Sequence, residues 1–428
     1  MSVIHTAPVL LPVGPALPGA PLHPSAAPLP DGGVLVEGDR IAAVGPLTEL
    51  TAARPTARVR RWPGILTPGL VNAHAHLQYS DFADLAEAGL PFADWIQRLQ
   101  ARRRTYDDAR WAESARRGLH AMLRTGTTAV ADVVSDPAVL APTARAGLAG
   151  ISYLEVVGAD RAGWAGGRRD RLVAGLNAAP AGRRIGVSPH ALYTLSTEVF
   201  AECVALARHR GLRIHSHLAE TADESEYVLA GAGPLVETMR RFGLDFELAR
   251  EGGGGRTPTA QLDLVGGLGV DAHVAHGVHC DAADRKLLRE RGSVVALCVR
   301  SNQLLGAGQP PVAAYLTEEV PVALGTDSLA SSPSLDLLAE AAAARALART
   351  QGYGGADLDA VLFTAATRGG ALAMGLTDSG VLAPGVRADL AVFDVEPGAD
   401  PYTALLERGP GRCVATVLGG RLVHRAPC

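Results

Sequence analysis

The stretch Leu70-Val71-Asn72-Ala73-His74-Ala75-His76-Leu77 decides how the rest of the chain is interpreted. It continues an apolar run that begins at Gly64, and it contains two histidines two positions apart. In an extended strand, residues at i and i+2 point to the same face, so His74 and His76 can direct two imidazoles to one point. Imidazole is a common metal ligand. The stretch therefore predicts a strand whose end carries part of a metal site, provided that other strand ends supply further ligands.

The composition predicts a large folded core and excludes several classes of function. Of the 428 residues, 47% are hydrophobic and 20% are charged, and the net charge is −4. The chain has no basic stripe of the kind that binds nucleic acid and no polybasic segment for a membrane surface. No apolar run reaches the roughly 18 residues of a membrane span. We expect neither nucleic acid nor a membrane as a partner, and a homodimer stays open.

The cysteines and the first residues of the chain predict a cytoplasmic protein. The five cysteines are scattered and form no Cys-x-x-Cys motif, which is typical of reduced thiols. The segment that begins at Met1 lacks the basic region and the long apolar region of a signal peptide.

Apolar runs alternate with helical segments rich in Ala, Leu and Arg from residue 64 onward. Each run is short and almost continuously apolar, as expected of strands that are covered on both faces. The eight runs are Ile65–Ala73, Thr127–Val134, Ile151–Val157, Arg184–Ser188, Leu212–His217, Val270–His276, Ser293–Val299 and Val320–Gly325. Eight such alternations predict the α/β class with a parallel (β/α)8 barrel of the TIM type. An open doubly wound sheet is the alternative, but no Gly-x-Gly-x-x-Gly follows the first strand.

Both ends of the chain have the pattern of short strands and turns. Residues 33–45 and 414–423 indicate hairpins, because Gly-Asp and Gly-Gly turns separate their apolar segments. We expect the two ends to pair into one small composite β-sandwich. The predicted domains are residues 1–63 and 380–428, which contribute to the sandwich, and residues 64–379, which form the barrel.

Histidines are concentrated at the ends of the predicted strands. Seven of the thirteen lie there, although histidines of a packed core would be scattered along the strands. They are His74, His76, His190, His215, His217, His276 and His279. Since the active sites of such barrels lie at the carboxyl ends of the strands, these residues predict a metal centre.

A metal centre built from histidines and one carboxylate suits hydrolysis. Three imidazoles and a carboxylate favour one Zn²⁺, with Fe²⁺ or Mn²⁺ as alternatives, and a metal in such a site lowers the pKa of water to about 7. A hydrolase also needs a proton donor for the leaving group. Glu220, three residues after His217, is the candidate; the alternative is a solvated loop carboxylate.

The chain resembles the amidohydrolase superfamily, in its cytosine-deaminase-like branch of aminohydrolases and chlorohydrolases. The resemblance covers nearly the whole chain. It is carried by residues 67–76 (TPGLVNAHAH), 217–220 (HLAE), 275–279 (AHGVH), 300–302 (RSN), 324–328 (LGTDS) and 382–394. It implies the (β/α)8 barrel with a composite β-sandwich, and it implies a hydrolase that acts on C–N bonds other than peptide bonds.

The resemblance also implies roles for individual residues. Glu220 resembles the residue that protonates the ring nitrogen beside the amino-bearing carbon, and His276 resembles the histidine that polarises the reacting centre. His190 resembles a substrate contact. The mononuclear metal ligands would be His74, His76, His217 and Asp327, of which Asp327 also takes a proton from the attacking water.

Three further residues bear on the number of metal ions and on the surroundings of the metal. Binuclear members of the superfamily bridge two metals with a carboxylated lysine at a strand end. The one lysine of this chain, Lys286, follows strand six in a predicted helix, so we expect one metal ion. We interpret His215 as a residue behind the ligands or in the core, and we assign no role to His279.

The expected substrate is a small aminated heterocycle or nucleoside. Residues 91–96 resemble a segment of nucleoside deaminases in which an acidic residue contacts ribose hydroxyls. The acidic residue of this chain is Asp94. The alternative is that Asp94 only stabilises the N-terminus of a helix. Residues 77–79 and 298–302 resemble the corresponding segments of aminodeoxyfutalosine deaminases of menaquinone synthesis. By this resemblance Arg300 would contact a substrate carboxylate; the alternative is a structural role.

These resemblances predict the deamination of an adenine-type nucleoside, 6-aminodeoxyfutalosine in the first place. The alternatives are a deaminase of adenosylhomocysteine or methylthioadenosine, a guanine deaminase and a triazine chlorohydrolase. A catalytically silent barrel that serves as a scaffold is the alternative outside the enzyme class.

Overall fold

A parallel barrel forms the centre of the protein, as predicted. The computed structural model describes residues 2–14 and 27–427; residues 1, 15–26 and 428, which belong to the predicted terminal domains, lie outside the described part. Eight parallel strands follow one another in chain order around one sheet. We number them barrel strands 1 to 8: Leu70–Ala75, Thr127–Val134, Ala149–Val156, Arg184–Pro189, Ile214–Leu218, Ala272–His276, Val294–Leu297 and Val322–Leu324.

Barrel strands 8 and 1 are joined by side chains and by one backbone hydrogen bond. The Asn72 side chain donates to Thr326 Oγ1 at 2.7 Å and accepts from the Thr326 backbone N–H at 3.2 Å. The Asp327 backbone N–H donates to the His74 carbonyl at 3.0 Å. The first and last strands of the sheet are thereby held side by side, which brings His74 and Asp327 together.

Helices connect the barrel strands and cover the outside of the barrel. Several begin at a residue whose side chain accepts a hydrogen bond from the first turn: Asp107, Ser196, Thr221 and Asp281. The helices between the strands, or after the last one, include Asp108–Arg124, Leu140–Ala146, Arg169–Asn177, Thr197–His209, Ala222–Ala230, Pro234–Arg241, Ala282–Arg291, Val299–Leu304, Val312–Thr317, Leu337–Thr350 and Leu358–Thr364. In the described part of the chain, no helix combines the length and the apolar character needed to cross a bilayer.

The predicted first strand, Ile65–Ala73, is two strands. Ile65–Pro68 pairs antiparallel with Leu390–Phe393 in the terminal region, whereas Leu70–Ala75 begins the barrel. Gly69 lies between them against Thr128, and a Cβ atom there would be 2.0 Å from Thr128 Oγ1. The chain can therefore pass from one sheet to the other only without a side chain at this position. Of the other seven runs, Thr127–Val134 coincides with its strand, and the remaining six differ from the observed strands by no more than two residues at either end.

Two sheets from the chain ends form the predicted sandwich. One contains only strands from the N-terminal segment: Arg40–Pro46, Gly32–Glu37, Ser2–Thr6 and Arg58–Arg61. The other combines both ends: Arg421–Arg425, Cys413–Leu418, Leu390–Phe393, Ile65–Pro68, Val9–Leu10 and Leu29–Pro30. Val34, Ile41, Leu66, Leu390 and Val417 are buried in one hydrophobic cluster between the sheets. The fold is a (β/α)8 barrel with a composite β-sandwich, which confirms the predicted fold class.

Candidate metal centre and active site

The four predicted metal ligands converge on one point at the carboxyl end of the barrel. His74 Nε2 and His76 Nε2 lie 3.4 Å and 3.6 Å from Asp327 Oδ1. His76 Nε2 also lies 3.2 Å from His217 Nε2. These side chains come from strands 1 and 5 and from the residue that follows strand 8, and they are almost completely buried.

His74 is oriented by a second histidine behind it. His215 Nδ1 donates to the His273 carbonyl at 3.0 Å, so its Nε2 is the acceptor for the His74 Nδ1–H at 2.7 Å. His74 Nε2 is then left with its lone pair, and this buried atom has no hydrogen-bond partner. A partner that fixes the tautomer of a histidine ligand is the usual arrangement around protein-bound metals. His215 thus lies behind the ligands, as the sequence analysis expected.

His217 is oriented by a backbone carbonyl. Its Nδ1 lies 3.2 Å from the His190 oxygen and donates to it, so Nε2 keeps the lone pair that faces His76 and His74. Burial and the surrounding histidines lower the pKa of His217 well below its usual value. A neutral imidazole is the form that binds a metal. The donor set, three imidazole nitrogens and one carboxylate oxygen, therefore fits a divalent metal ion.

The two carboxylate oxygens of Asp327 have different surroundings. Its Oδ2 accepts hydrogen bonds from Ser301 Oγ and Ser331 Oγ, both at 2.7 Å, while Oδ1 faces the two histidines of strand 1. Burial alone would raise the pKa of Asp327, but the contact with His74 and the neighbouring imidazoles lower it well below its usual value. The residue has φ +56°, a conformation that is uncommon outside glycine and that recurs at functional sites.

Glu220 and His276 face each other beside the metal centre. Glu220 Oε1 lies 3.6 Å from His276 Nε2, and Asn302 Nδ2 donates to His276 Nδ1 at 3.1 Å. His276 Nε2 therefore carries the proton, and it has no hydrogen-bond partner among the residues that the structure describes. Burial raises the pKa of the Glu220 carboxyl well above its usual value, and the charges of Asp327 and Glu224 add to this effect. A protonated carboxyl at neutral pH can serve as a general acid.

A cavity of about 340 Å³ leads to these residues. His76, His217, Glu220, His276 and Asp327 line its inner end. The rest of its lining includes apolar and aromatic side chains, among them Phe92, Trp95, Met239 and Phe242. Three arginines also line it: Arg103, Arg104 and Arg168. A cleft with apolar walls and a few converging polar groups is typical of a small-molecule site.

The structure places His190 on the wall of this cavity, next to a carboxylate that the sequence analysis missed. The rings of His190 and His217 lie 4.4 Å apart. Glu155, at the end of barrel strand 3, has its Oε1 3.9 Å from His190 Nε2, and its side chain is only 3% exposed. The signal for Glu155 in the sequence is an ionisable residue near the end of an otherwise apolar run.

The two other expected substrate contacts lie away from the cavity. Asp94 is exposed in the first turn of the helix Phe92–Arg103, which fits the alternative of a residue that stabilises the helix N-terminus. The side chain of Arg300 donates to Ser334 Oγ at 3.0 Å, because the helix Val299–Leu304 turns it away from the cavity. Neither residue lines the cavity. The neighbours Ser301 and Asn302 contact Asp327 and His276 instead, and the sequence analysis did not predict these two contacts.

His279 and Lys286 lie outside the metal centre. Nε2 of His279 donates to the Ala307 carbonyl at 2.7 Å, so this histidine connects two loops. Lys286 is exposed in the helix Ala282–Arg291, with its Nζ 3.8 Å from Glu290.

Comparisons with known proteins agree with this geometry. Residues 65–423 match the model of the amidohydrolase family, and residues 32–53 match an imidazolonepropionase-like composite domain of bacteria. An aminodeoxyfutalosine deaminase of Deinococcus radiodurans is 33% identical over 352 residues, which cover 80% of this chain and 81% of that protein. A 5-methylthioadenosine/S-adenosylhomocysteine deaminase of Halobacterium salinarum is 34% identical over 424 residues, or 95% and 91% of the two chains.

A solved structure shares the whole fold. The crystal structure of an adenosine deaminase from Xanthomonas campestris with bound zinc superimposes with a TM-score of 0.79 at 24% sequence identity, over 99% of this chain and 93% of that one. Family match, relatives and fold agree: the chain belongs to the amidohydrolase family and is a hydrolase that acts on carbon–nitrogen bonds other than peptide bonds.

Proposed function

We propose that this protein is a metal-dependent hydrolytic deaminase of an adenine-type nucleoside, with 6-aminodeoxyfutalosine as its substrate. The observation that carries the proposal is the placement of Glu220, His276 and Asp327 around one cluster of histidines, at the inner end of a cavity with aromatic walls. This arrangement supplies a proton donor, a hydrogen-bond donor and a proton acceptor on one side of a flat heterocycle.

One zinc ion is the proposed cofactor, held by His74, His76, His217 and Asp327. The donor set suits zinc, and the fold neighbour from Xanthomonas campestris contains zinc. A divalent metal in this site acts as a Lewis acid and lowers the pKa of water. The position of Lys286 on an exposed helix supports a single ion, because no lysine lies near the centre to bridge two.

Glu220 would deliver a proton to the ring nitrogen beside the amino-bearing carbon. Burial raises the pKa of this carboxyl and so favours the protonated form, from which the proton can be delivered when water attacks that carbon. The Glu220 backbone N–H donates to Glu224 Oε2 at 2.8 Å, which fixes the loop that carries the acid.

Asp327 would take the first proton from the attacking water, and His276 would donate from Nε2 to the oxygen that becomes the product carbonyl. The C–N bond to the amino group then breaks and ammonia leaves. Asp327 would pass the first water proton to the leaving amino group. The second water proton would return Glu220 to its protonated form after its own proton has gone to the ring nitrogen.

The choice of substrate follows the Deinococcus relative, which would place the enzyme in menaquinone biosynthesis in the cytoplasm. The four described cysteines are buried and unpaired, which is in keeping with a reducing compartment. A deaminase of methylthioadenosine or adenosylhomocysteine is the second candidate, because the Halobacterium relative is similar over nearly its whole length.

Ammonia release from a panel of amines tests the proposal. The panel contains 6-aminodeoxyfutalosine, methylthioadenosine, adenosylhomocysteine, adenosine, guanine and an aminotriazine, each with zinc-loaded enzyme. We expect the highest kcat/KM for 6-aminodeoxyfutalosine. In Glu220→Gln, kcat/KM for every amine of the panel should stay below about one-hundredth of the wild-type value. A higher value for methylthioadenosine or adenosylhomocysteine would select the second candidate. A zinc-loaded protein that releases no ammonia from any of them would overturn the proposal.

A further inference from the structure

Glu155 and His190 present two hydrogen-bond acceptors side by side on the cavity wall. Thr194 Oγ1 lies 3.0 Å from the Ala191 carbonyl and 3.1 Å from His190 Nδ1. A carbonyl only accepts, and the hydroxyl has one hydrogen. Both contacts are satisfied together when the hydroxyl donates to Ala191 and His190 Nδ1 donates to the hydroxyl. His190 Nε2 then has a lone pair.

The Glu155 carboxylate is held by its other oxygen. Gln78 Nε2 donates to Ser135 Oγ at 2.8 Å, and the Ser135 hydroxyl in turn donates to Glu155 Oε2. Gln78 is itself fixed, because its Oε1 accepts from the Ser135 backbone N–H at 3.0 Å. This arrangement turns Glu155 Oε1 toward His190 Nε2, and the two atoms are 3.9 Å apart.

That distance is too long for a hydrogen bond, and two acceptors cannot satisfy each other. No described residue donates a hydrogen bond to Glu155 Oε1 or to His190 Nε2, and both residues line the cavity, so a bound molecule can supply the two donors. Two acceptors 3.9 Å apart can be satisfied together by two separate donors that lie equally close to each other. Hydroxyl groups on two neighbouring carbon atoms are such donors, because each can give one hydrogen bond to one acceptor.

We propose that Glu155 is a specificity-determining residue, which together with His190 accepts hydrogen bonds from the two hydroxyls of a vicinal diol of the substrate. This inference rests on the proposed function, for which it names the recognised part of the nucleoside: the ribose 2′- and 3′-hydroxyls. It also explains how a nucleoside is recognised although Asp94 lies away from the cavity.

The test compares adenosine with 2′,3′-dideoxyadenosine in the zinc-loaded wild type and in Glu155→Gln. The amide of the variant can donate to His190 Nε2, so it fills the gap between the two acceptors without changing the size of the side chain. We expect the wild type to prefer adenosine by about 100-fold or more in kcat/KM. Glu155→Gln should lower kcat/KM for adenosine about 10- to 100-fold and leave the dideoxy compound nearly unchanged.

Controls separate recognition from damage to the fold or the metal site. Glu202→Gln makes the same chemical change at a carboxylate that binds Trp164 Nε1 outside the cavity, and it should leave the preference intact. Zinc content and melting temperature are measured for every variant. If Glu155→Gln does not fold, Ser135→Ala removes the hydrogen bond that turns Glu155 and should reduce the same preference. Equal losses for both nucleosides in either folded variant would overturn the role of Glu155.

Product binding distinguishes failure of this inference from failure of the proposed function. Calorimetry with inosine and 2′,3′-dideoxyinosine requires no turnover. Weaker inosine binding in Glu155→Gln, with no change for the dideoxy form, supports the diol site whether or not ammonia is released. Deamination of both adenosines at equal rates by the wild type would overturn the diol site while the proposed function stands. Absence of both deamination and inosine binding would overturn both.

Discussion

His76 Nε2 and His217 Nε2 lie 3.2 Å apart, although the two residues are 141 positions apart in the chain. His217 Nδ1 is already used for the His190 carbonyl, and His74 Nε2 next to this pair is buried without a partner. Three imidazole nitrogens that face one another beside a carboxylate are stabilised by a shared cation. The contact between these two histidines thus defines the centre from which the following predictions start.

The protein should bind one divalent metal ion per chain. Elemental analysis of protein freed of loose metal should give about one equivalent, and removal by a chelator should abolish activity until zinc is returned. His217→Ala should bind far less metal, because it removes one of the four ligands. Two tightly bound ions per chain, or full activity without metal, would contradict the site as described.

Glu220→Gln should keep the metal and lose turnover. The carboxyl lies 3.6 Å from His276 and is not in the ligand set, whereas an amide cannot deliver a proton. We expect kcat to fall about 10²- to 10⁴-fold, as is usual when a general acid is removed. Steady-state kinetics with metal analysis on the same preparation checks this. Loss of the metal from Glu220→Gln would instead identify Glu220 as a ligand.

Asp327→Asn should lose more turnover than His190→Ala. An amide oxygen can still face the metal, but it cannot take a proton from water, so nearly all of kcat should disappear while part of the metal affinity remains. His190 lies on the cavity wall, so its removal should raise KM more than it lowers kcat. Wild-type kcat in fully metallated Asp327→Asn would require another base, with His276 as the first candidate.

His215→Phe should weaken metal binding without removing a ligand. The change deletes the acceptor that holds the His74 Nδ1–H at 2.7 Å, and the loss of such a partner typically costs about 10- to 100-fold in metal affinity. Competition with a chelating dye measures the effect. His279→Phe is the matched control, since the His279 imidazole donates to the Ala307 carbonyl and not to a residue of the metal centre. Equal zinc affinity in both variants would show that His215 does not orient the ligand.

The sandwich should lose stability in mild acid through His5. Its Nδ1 accepts from Trp62 Nε1 at 3.1 Å, and burial, with the charge of Arg60, lowers its pKa from 6.5 to about 4. Between these two values the unfolded chain binds more protons than the folded one, so stability falls as the pH falls from 6.5 toward 4. Each unit of difference between the pKa values of His5 in the unfolded and the folded chain corresponds to about 1.4 kcal/mol of the free energy of unfolding.

His5→Asn is the variant that tests this effect, because its side-chain oxygen can still accept from Trp62 but does not titrate. Urea unfolding of both proteins across this pH range should show a flatter pH dependence in the variant. The same slope in both proteins would exclude His5 as the titrating group.

The sequence by itself determined the barrel, the composite sandwich and the family to which the chain belongs. Buried parallel strands require short apolar runs, and glycine-containing turns are needed between hairpin strands; both are local patterns that one chain displays. The residues at strand ends could also be named, because strand ends follow directly from the runs. His74, His76, His217, Glu220, His276 and Asp327 were found in this way together with the resemblance.

Only the tertiary structure decided what lies beside those residues. Gly69 divides one apolar run between two sheets because Thr128, from another strand, leaves no room for a side chain. Asp94 and Arg300 lie outside the cavity because helix geometry turns them away, whereas Glu155 enters it from barrel strand 3. The hydrogen bonds of His215, Ser301 and Asn302 join strands and loops that are distant in sequence. The spacing of residues along one chain does not specify such contacts, because they depend on how separate elements pack.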